Sequence, residues 1–488
     1  MKMQNNFLTI LCLVLAISCQ KVPKGNDSSN NFFPHGIASG DPSTTEVVLW
    51  TRLNSLDPSN MEVKWEVSSN DDFSDIISSG SESAKEENDY CVKVITDQLK
   101  PGTHYYYRFI HEGSYSTIGR TKTLPENTDR IKIGVINCAK YTGGYYHAFD
   151  ALSKMDDLDV IIHLGDYIYE SGAAVEGESY WPSVQATGRQ HDPLHECLSL
   201  EDYRTRYAQY HMDTVLQNLH AKFPMIVIWD DHEIAMKPLK KLKDGTMEYG
   251  GDWQGRLNNS IKAYHEWLPL RPEPFDDIYR SFQFGDLVNL MMLDARVCCK
   301  DDVDKTIESL ADTSRHIVGN KQLDWIENEV ITNNAKWNIF GNQLLIAEKD
   351  MGWNRWPGFP LDRNRLLKFI EENPAKNFVV TTGNAHNPHH YVVFNEDKTD
   401  TLFHELLPGS ISSGNNAEKA HYDSVIIANE DKRLREADNV LWFHQDSHGF
   451  IVLDATPDRL QADWYFVSDI RKKDYELSKP YSLILKPN

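Results

Sequence analysis

Val160-Ile161-Ile162-His163-Leu164-Gly165-Asp166-Tyr167-Ile168-Tyr169-Glu170 is the stretch whose reading decides the fold. It opens with an apolar run too short for a globular helix and rich in β-branched residues, the pattern of a buried strand. The run reaches Gly165, where the backbone can turn sharply, and delivers Asp166 and Tyr169 just beyond. A carboxylate and a phenol at a strand exit can both enter one crevice, and crevices at the carboxyl ends of strands are where α/β sheets hold ligands. A carboxylate can bridge two cations, and a phenolate is a hard donor suited to a trivalent metal. Taken alone, the stretch is equally an ordinary strand and turn.

The same arrangement recurs on either side of it. Apolar run 131–136 ends in Asn137-Cys138, run 225–228 ends in Trp229-Asp230-Asp231-His232-Glu233, and run 378–382 ends in Gly383-Asn384-Ala385-His386. Longer helical stretches lie between these runs, which is the alternation of an α/β layered domain. Each residue has a bland account of its own. Cys138 reads as a small buried hydrophobe, His386 as a core histidine, and Asp230-Asp231 as a helix cap. A thiol, three Asp, a Tyr and two His at strand exits of one domain are harder to explain that way. Neighbouring strands lie about 5 Å apart, so the groups converge if the sheet is continuous. A convergent set of oxygen, nitrogen and sulfur donors is a metal site.

The 488 residues carry 40% apolar and 11% aromatic side chains, enough core for two or three domains and too much for a disordered chain. A formal net charge of -22 argues against a nucleic-acid backbone as partner. Acidity of that size suits either the collection of cations or simple solubility. Residues 1–18 read as a signal peptide: Lys2, then an apolar run over 7–17 too short to span a bilayer. Ala16-Ile17-Ser18-Cys19 resembles a lipoprotein cleavage box, which would leave Cys19 as a lipidated terminus and 19–32 as a flexible tether. The expectation is an exported protein, lipid-anchored on the periplasmic or cell-surface side. Seven cysteines, an odd count, leave at least one thiol free or paired with another chain.

Residues 33–125 read as a β-sandwich. Short strand-like runs around 46–50, 63–67, 91–95 and 105–109 are punctuated by turns. Leu99-x-Pro101-Gly102-Thr103-x-Tyr105-x-Tyr107-x-Phe109 resembles a fibronectin type III strand pair, and a support role without chemistry suits it. A polar linker over 121–129 precedes the α/β part, 126–488. Its charged tail turns strand-like at Tyr481-Ser482-Leu483-Ile484-Leu485, placed either to cover the site or to close a sheet.

At this point the motifs match a family. The chain resembles the alkaline phosphatase D (PhoD-like) metallophosphoesterases over nearly all of its mature length. The most specific motifs are His163-Leu164-Gly165-Asp166-Tyr167-Ile168-Tyr169-Glu170 and Trp229-Asp230-Asp231-His232-Glu233. Phe33-Pro34-His35-Gly36, Leu200-Glu201-Asp202-Tyr203-Arg204, Leu293-Asp294-Ala295-Arg296, Trp356-Pro357-Gly358-Phe359-Pro360 and Gly409-Ser410-Ile411-Ser412-Ser413 match in order. The resemblance implies an α/β fold with a four-layer β-sandwich core flanked by helices, preceded by an all-β fibronectin/Ig-like sandwich. It implies that Cys138, Asp166, Tyr169 and His386 hold Fe3+. Asp166 would bridge to a second site where Asp231, with or without Asp230, meets Ca2+. His232 would lie against the phosphate, and Arg189 would clamp it, its planar fork matching two oxygens. The chemistry implied is hydrolysis of phosphate mono- or diesters, phospholipid head groups among them, by hydroxide generated from water on the cations.

Departures from the family pattern bear on that expectation. Ile234-Ala235-Met236-Lys237-Pro238 stands where the family has a Val and then Asn residues. Asn384 replaces the usual Asp of Gly-Asp-x-His; it keeps a carbonyl donor but removes a negative charge, and calcium affinity follows ligand charge. His389 and His390 are either substitute nitrogen donors or a surface pair. The alternative reading is a surface or binding protein that keeps the fold and has lost turnover.

Overall fold

The structure is a computed structural model that describes residues 31–55, 57–235, 252–271, 277–301, 312–348 and 354–488. The expected signal peptide, most of the tether, and Met236, Lys237 and Pro238 lie outside the described residues. Phe32–Asn488 form one compact unit.

Two mixed sheets make its centre. The larger has nine strands in the order Leu477–Leu485, Leu460–Val467, His448–Ala455, Ile131–Ile136, Val160–His163, Met225–Val227, Ile37–Gly40, Val47–Arg52 and Cys91–Thr96. The smaller has seven: Arg280–Phe284, Val288–Met292, Trp337–Asn342, Phe378–Thr382, Thr401–Pro408, Pro388–Phe394 and Val440–Phe443. Ile131–Ile136, Val160–His163 and Met225–Val227 run parallel, with Ile161 opposite both Gly134 and Met225. A Cβ on Gly134 would come within 2.6 Å of Ile161 Cδ1, so a larger residue there would need that side chain to move. Parallel strands send their carboxyl ends to the same edge, so Cys138, Asp166 and Asp231 leave the sheet side by side.

One core cluster joins both sheets. Ile133, Ile161 and Ile226 of the larger meet Leu290, Ile339 and Val379 of the smaller. Helices His147–Ser153, Leu200–His211 and Thr214–Lys222 contribute Phe149, Tyr203 and Leu219 to the same cluster. On its other face the smaller sheet buries Met291, Phe340 and Val380 under Ile326 and Ile370 of helices Gly319–Thr332 and Pro360–Glu372. Each such side chain stabilises the fold by about 1.5–3 kcal/mol. The helices start where their sequences dictate. Ser199 and Asp202 form a capping box, and Asp213 accepts the amides of Val215 and Leu216.

The amino-terminal β part is joined to the nine-stranded sheet. Its small sheet, built on Glu62–Ser68 and His104–His111, packs through Val63, Val67, Tyr107 and Phe109 onto Val47 and Leu49. Those last two residues belong to the nine-stranded sheet, which the amino-terminal strands enter through parallel pairing of Gly40 with Met225. An otherwise open edge at Met225–Val227 is closed in this way. His389 and His390 are not a surface pair: both are buried in Pro388–Phe394, His390 sitting 2.8 Å from His404 Nδ1 and 2.9 Å from Tyr481 Oη. Of the two roles open to the tail, the structure shows the sheet-closing one: Leu477–Leu485 pairs with Leu460–Val467 at the sheet edge.

Candidate metal centre

Three of the four strand exits carry strained backbone. Cys138, Asp166 and Asn384 all adopt left-handed φ, at 57°, 57° and 55°. Non-glycine residues avoid that region unless their surroundings enforce it, and they cluster at functional sites. Here the enforcement is visible. Cys138 N–H donates to the Gly165 carbonyl at 3.1 Å and Ala139 N–H to the Asp166 carbonyl at 2.9 Å. Gly165 itself has φ 99°, and a Cβ on it would lie 2.5 Å from Asp230 Cβ. Glu233, buried, accepts the amides of Asp166 at 3.0 Å, Tyr167 at 2.5 Å and Asp230 at 2.7 Å. One carboxylate thus ties two exits together.

The side chains converge. One donor atom each from Cys138, Asp166 and His386 lie within 4.8 Å of one another, as do those from Asp166, Asp230 and Asp231. Asp166 is common to both groups. Cys138 Sγ donates to Asp166 Oδ2 at 3.2 Å, and Tyr169 Oη donates to the same oxygen at 2.9 Å while lying 3.4 Å from His386 Nε2. The Gly414 carbonyl engages His386 Nδ1 at 2.8 Å, which turns Nε2 inward. Asp230 Oδ2 is buried without a hydrogen-bond partner among the described residues. Asn384 sits half-buried at its strand exit, and its side chain has no hydrogen-bond partner among the described residues.

Burial shapes the electrostatics. It pushes the Cys138 thiol and the Tyr169 phenol well up, and the neighbouring Asp166 charge adds to both. Burial also raises Asp166 and Asp230, against the opposing pull of His232 on the first and Arg296 on the second. These are protons that a bound cation would displace, and a deprotonated thiol, phenol and carboxylate with one imidazole form a donor set that fits iron. The second group carries three carboxylates against one guanidinium. Arg296 pairs through Nε with Asp230 and through Nη2 with Asp231 at 3.0 Å. The remaining negative charge fits a divalent cation, to which Asn384 adds none.

His232 stands over this centre, its ring 3.9 Å from that of Tyr169 and its Nδ1 2.7 Å from Glu170 Oε2. Burial alone would lower its imidazole, but Glu170 and Asp166 outweigh it and hold the group at about 9. Arg189 has partners of its own outside the two donor groups. Its Nη1 donates to Asp213 at 2.6 Å and its Nε to the Tyr141 carbonyl at 3.0 Å, with the guanidinium 3.8 Å above the Tyr141 ring. In this structure the arginine expected as a phosphate clamp pairs with Asp213, the cap of Thr214–Lys222, while its Nη2 is buried without a hydrogen-bond partner among the described residues. Lys140 also lies beside the site, 5.1 Å over the Tyr169 ring and 4.1 Å over Tyr180. A cavity of about 310 Å3, lined by Tyr180, Gly414, Lys419 and Arg471 among others, adjoins it.

Glu170, Glu233, Arg296 and Lys140 contact the candidate ligands or His232, and sequence reasoning left them without a role. All but Lys140 stand inside quoted motifs, and that membership was the signal available for them. Cys298 and Cys299, two residues past Arg296, are joined as a disulfide.

The family model described as PhoD-like phosphatase matches residues 133–464, and that of the PhoD-like phosphatase amino-terminal domain matches 18–125. The chain is 31% identical to alkaline phosphatase D of Bacillus subtilis (strain 168), over 93% of its own length and 81% of that protein. A solved structure described as that of PhoD is similar with a TM-score of 0.83 and 31% identity, covering 94% of this chain and 91% of that one. Fold, site and relatives together define a hydrolase of the phosphatase class. The chain belongs to the PhoD-like phosphatase family.

Proposed function

We propose that this phosphatase is an exported, metal-dependent phosphoesterase that hydrolyses phosphate mono- or diesters. Cys138, Asp166, Tyr169 and His386 would hold Fe3+; Asp166, Asp230 and Asp231, with the Asn384 carbonyl, would hold Ca2+. The observation that carries the reading is the sharing of Asp166 between two donor groups, each within 4.8 Å. When bound, the cations supply the Lewis acidity that activates water and neutralises phosphoryl oxygens. The chain's own groups do the rest. His232, held at Nδ1 by Glu170, would lie against the phosphate, placed to pass a proton to the departing alkoxide. Lys140 adds positive charge where the phosphoryl group would sit. Tyr180 and Lys419 border the cavity into which the alcohol side of the ester would project. A lipid anchor at Cys19 would place such an enzyme beside organic phosphates outside the cytoplasm, phospholipid head groups included.

The test is hydrolysis of a chromogenic phosphomonoester and phosphodiester by protein lacking residues 1–19, with calcium and again after chelation. Turnover that the chelator abolishes supports the reading, and the ratio of the two rates gives the ester class. Iron-loaded, calcium-supplied protein that turns over neither substrate would sink it and favour a binding role.

A further inference from the structure

The segment from Gly409 to Asn415 follows strand Thr401–Pro408 and contains three fully buried serines, Ser410, Ser412 and Ser413. Buried hydroxyls are retained where they have partners, and the partners here are the candidate ligands. Ser412 and Ser413 N–H both donate to the Cys138 carbonyl at 3.3 Å. Ser413 Oγ donates to Tyr169 Oη at 2.5 Å. The Gly414 carbonyl fixes His386 through Nδ1 at 2.8 Å. Three donors from three different strand exits are thus referenced to one short segment.

That segment is itself anchored from behind. Ser410 Oγ donates to the Ser413 carbonyl at 2.5 Å and lies 3.0 Å from His448 Nδ1. His448 Nε2 lies 3.1 Å from Glu418 Oε2. His448 opens strand His448–Ala455, and Gly449 N–H donates to the Ser410 carbonyl at 3.1 Å. A serine, a histidine and a glutamate in line resemble a nucleophilic triad, but Ser410 spends its proton on a backbone carbonyl and is wholly buried. Its geometry is that of a brace.

We propose that Ser413 is a positioning residue of the metal centre, tuning Tyr169 through its hydroxyl, and that Ser410, His448 and Glu418 hold it in place. The inference rests on the donor set assigned above. Partners behind a metal ligand fix its orientation and its electron density, and losing one lowers metal affinity or activity about 10–100-fold. A hydroxyl that donates to a phenolate oxygen withdraws density from it. Removing that hydroxyl moves the phenolate-to-iron absorption band to longer wavelength, which a purely structural serine would not do.

The experiment loads purified wild-type and variant proteins with Fe3+ and records the visible band and the iron affinity by competition with a chelator. Ser413→Ala is expected to shift the band to longer wavelength and weaken iron about 10–100-fold, Ser413→Thr to restore both, and His448→Ala to move them in the same direction as Ser413→Ala. Ser412→Ala removes a hydroxyl bonded to the Lys140 carbonyl in the same segment and should leave the band in place. It controls for general damage to the loop. A band and affinity unchanged in Ser413→Ala, or equal shifts in Ser412→Ala and Ser413→Ala, overturn the proposal. Wild-type protein that binds iron without any such band removes Tyr169 from the donor set. The inference then falls, while chelator-sensitive hydrolysis still stands as a separate result.

Discussion

Arg296→Met removes the guanidinium that Asp230 and Asp231 share, and the stability it costs should shrink as calcium rises. Arg296 is 5% exposed and Asp230 fully buried, so the pair is an internal one. Removing one partner of a buried ion pair costs about 3–5 kcal/mol, because the other charge stays buried. The metal-free variant should lose an amount near the lower figure, since burial already favours a proton on Asp230 and the carboxyl can take it up. Calcium acts in the opposite sense. In the wild type a cation at Asp166, Asp230 and Asp231 has to displace the guanidinium; in the variant it does not. Free calcium a hundredfold above its Kd stabilises by about 2.7 kcal/mol, and a tenfold tighter Kd adds about 1.4 kcal/mol. Urea unfolding followed by fluorescence, first in chelator and then across a calcium titration, reads both effects. The gap between the two midpoints should open in chelator and narrow as calcium rises. A gap that stays constant would show that Arg296 does not compete for the site. A metal-free loss under about 1 kcal/mol would show that the pair is not effectively buried.

Glu233→Ala leaves three buried amides without an acceptor, at about 1–3 kcal/mol each. We expect a loss of at least about 3 kcal/mol and faster hydrogen exchange at Asp166, Tyr167 and Asp230; unchanged protection there would refute the tie between the two exits. Arg189→Met breaks a pair whose side chains are 11% and 8% exposed and should lower stability by about 3–5 kcal/mol while leaving KM for a phosphomonoester unchanged. A large rise in KM with stability intact would return Arg189 to the substrate. Glu405 is raised by burial, against hydrogen bonds from Thr382, Ile346 and Ala347. Its folded value lies above its unfolded one, so its contribution is complete at low pH and is lost as pH climbs through the folded value. Glu405→Gln should flatten that decline in urea midpoint on the alkaline side of the ordinary carboxylate range, and an identical slope in the variant would refute it.

How much of this was legible in the sequence depended on distance along the chain. The strand exits were, because each couples a local apolar run to the residues immediately after it: Ile131–Ile136 to Cys138, Val160–His163 to Asp166, Phe378–Thr382 to His386. The bridging role expected of Asp166 came from the family resemblance, and the structure sets its carboxylate in both donor groups. The pairing of Arg189 with Asp213 was not legible, because Asp213 caps a different helix and nothing local marks that contact. Arg296 was visible as a residue after a strand, yet the carboxylates it serves lie 65 and 66 positions earlier. His389 and His390 defeat the rule that alternate strand residues face water, since Pro388–Phe394 is covered on both faces. The joined sheet was hidden for the same reason. Pairing of Gly40 with Met225 is a fact of register between distant segments, which periodicity within either segment does not contain.

That joint has a consequence for how the chain comes to be folded. The strand that receives Ile37–Gly40 is not synthesised until 185 residues after Gly40. The amino-terminal strands therefore emerge long before their neighbour exists, and their free edge can pair with another chain in the interval. Contacts of such sequence separation form slowly. A fragment ending at residue 125 would keep that edge exposed permanently, so it should self-associate where the longer chain does not. The strand that finally covers the edge, Met225–Val227, is the one that leads into Asp230 and Asp231. Completion of the amino-terminal fold and delivery of those two carboxylates are thus a single event in the life of the molecule.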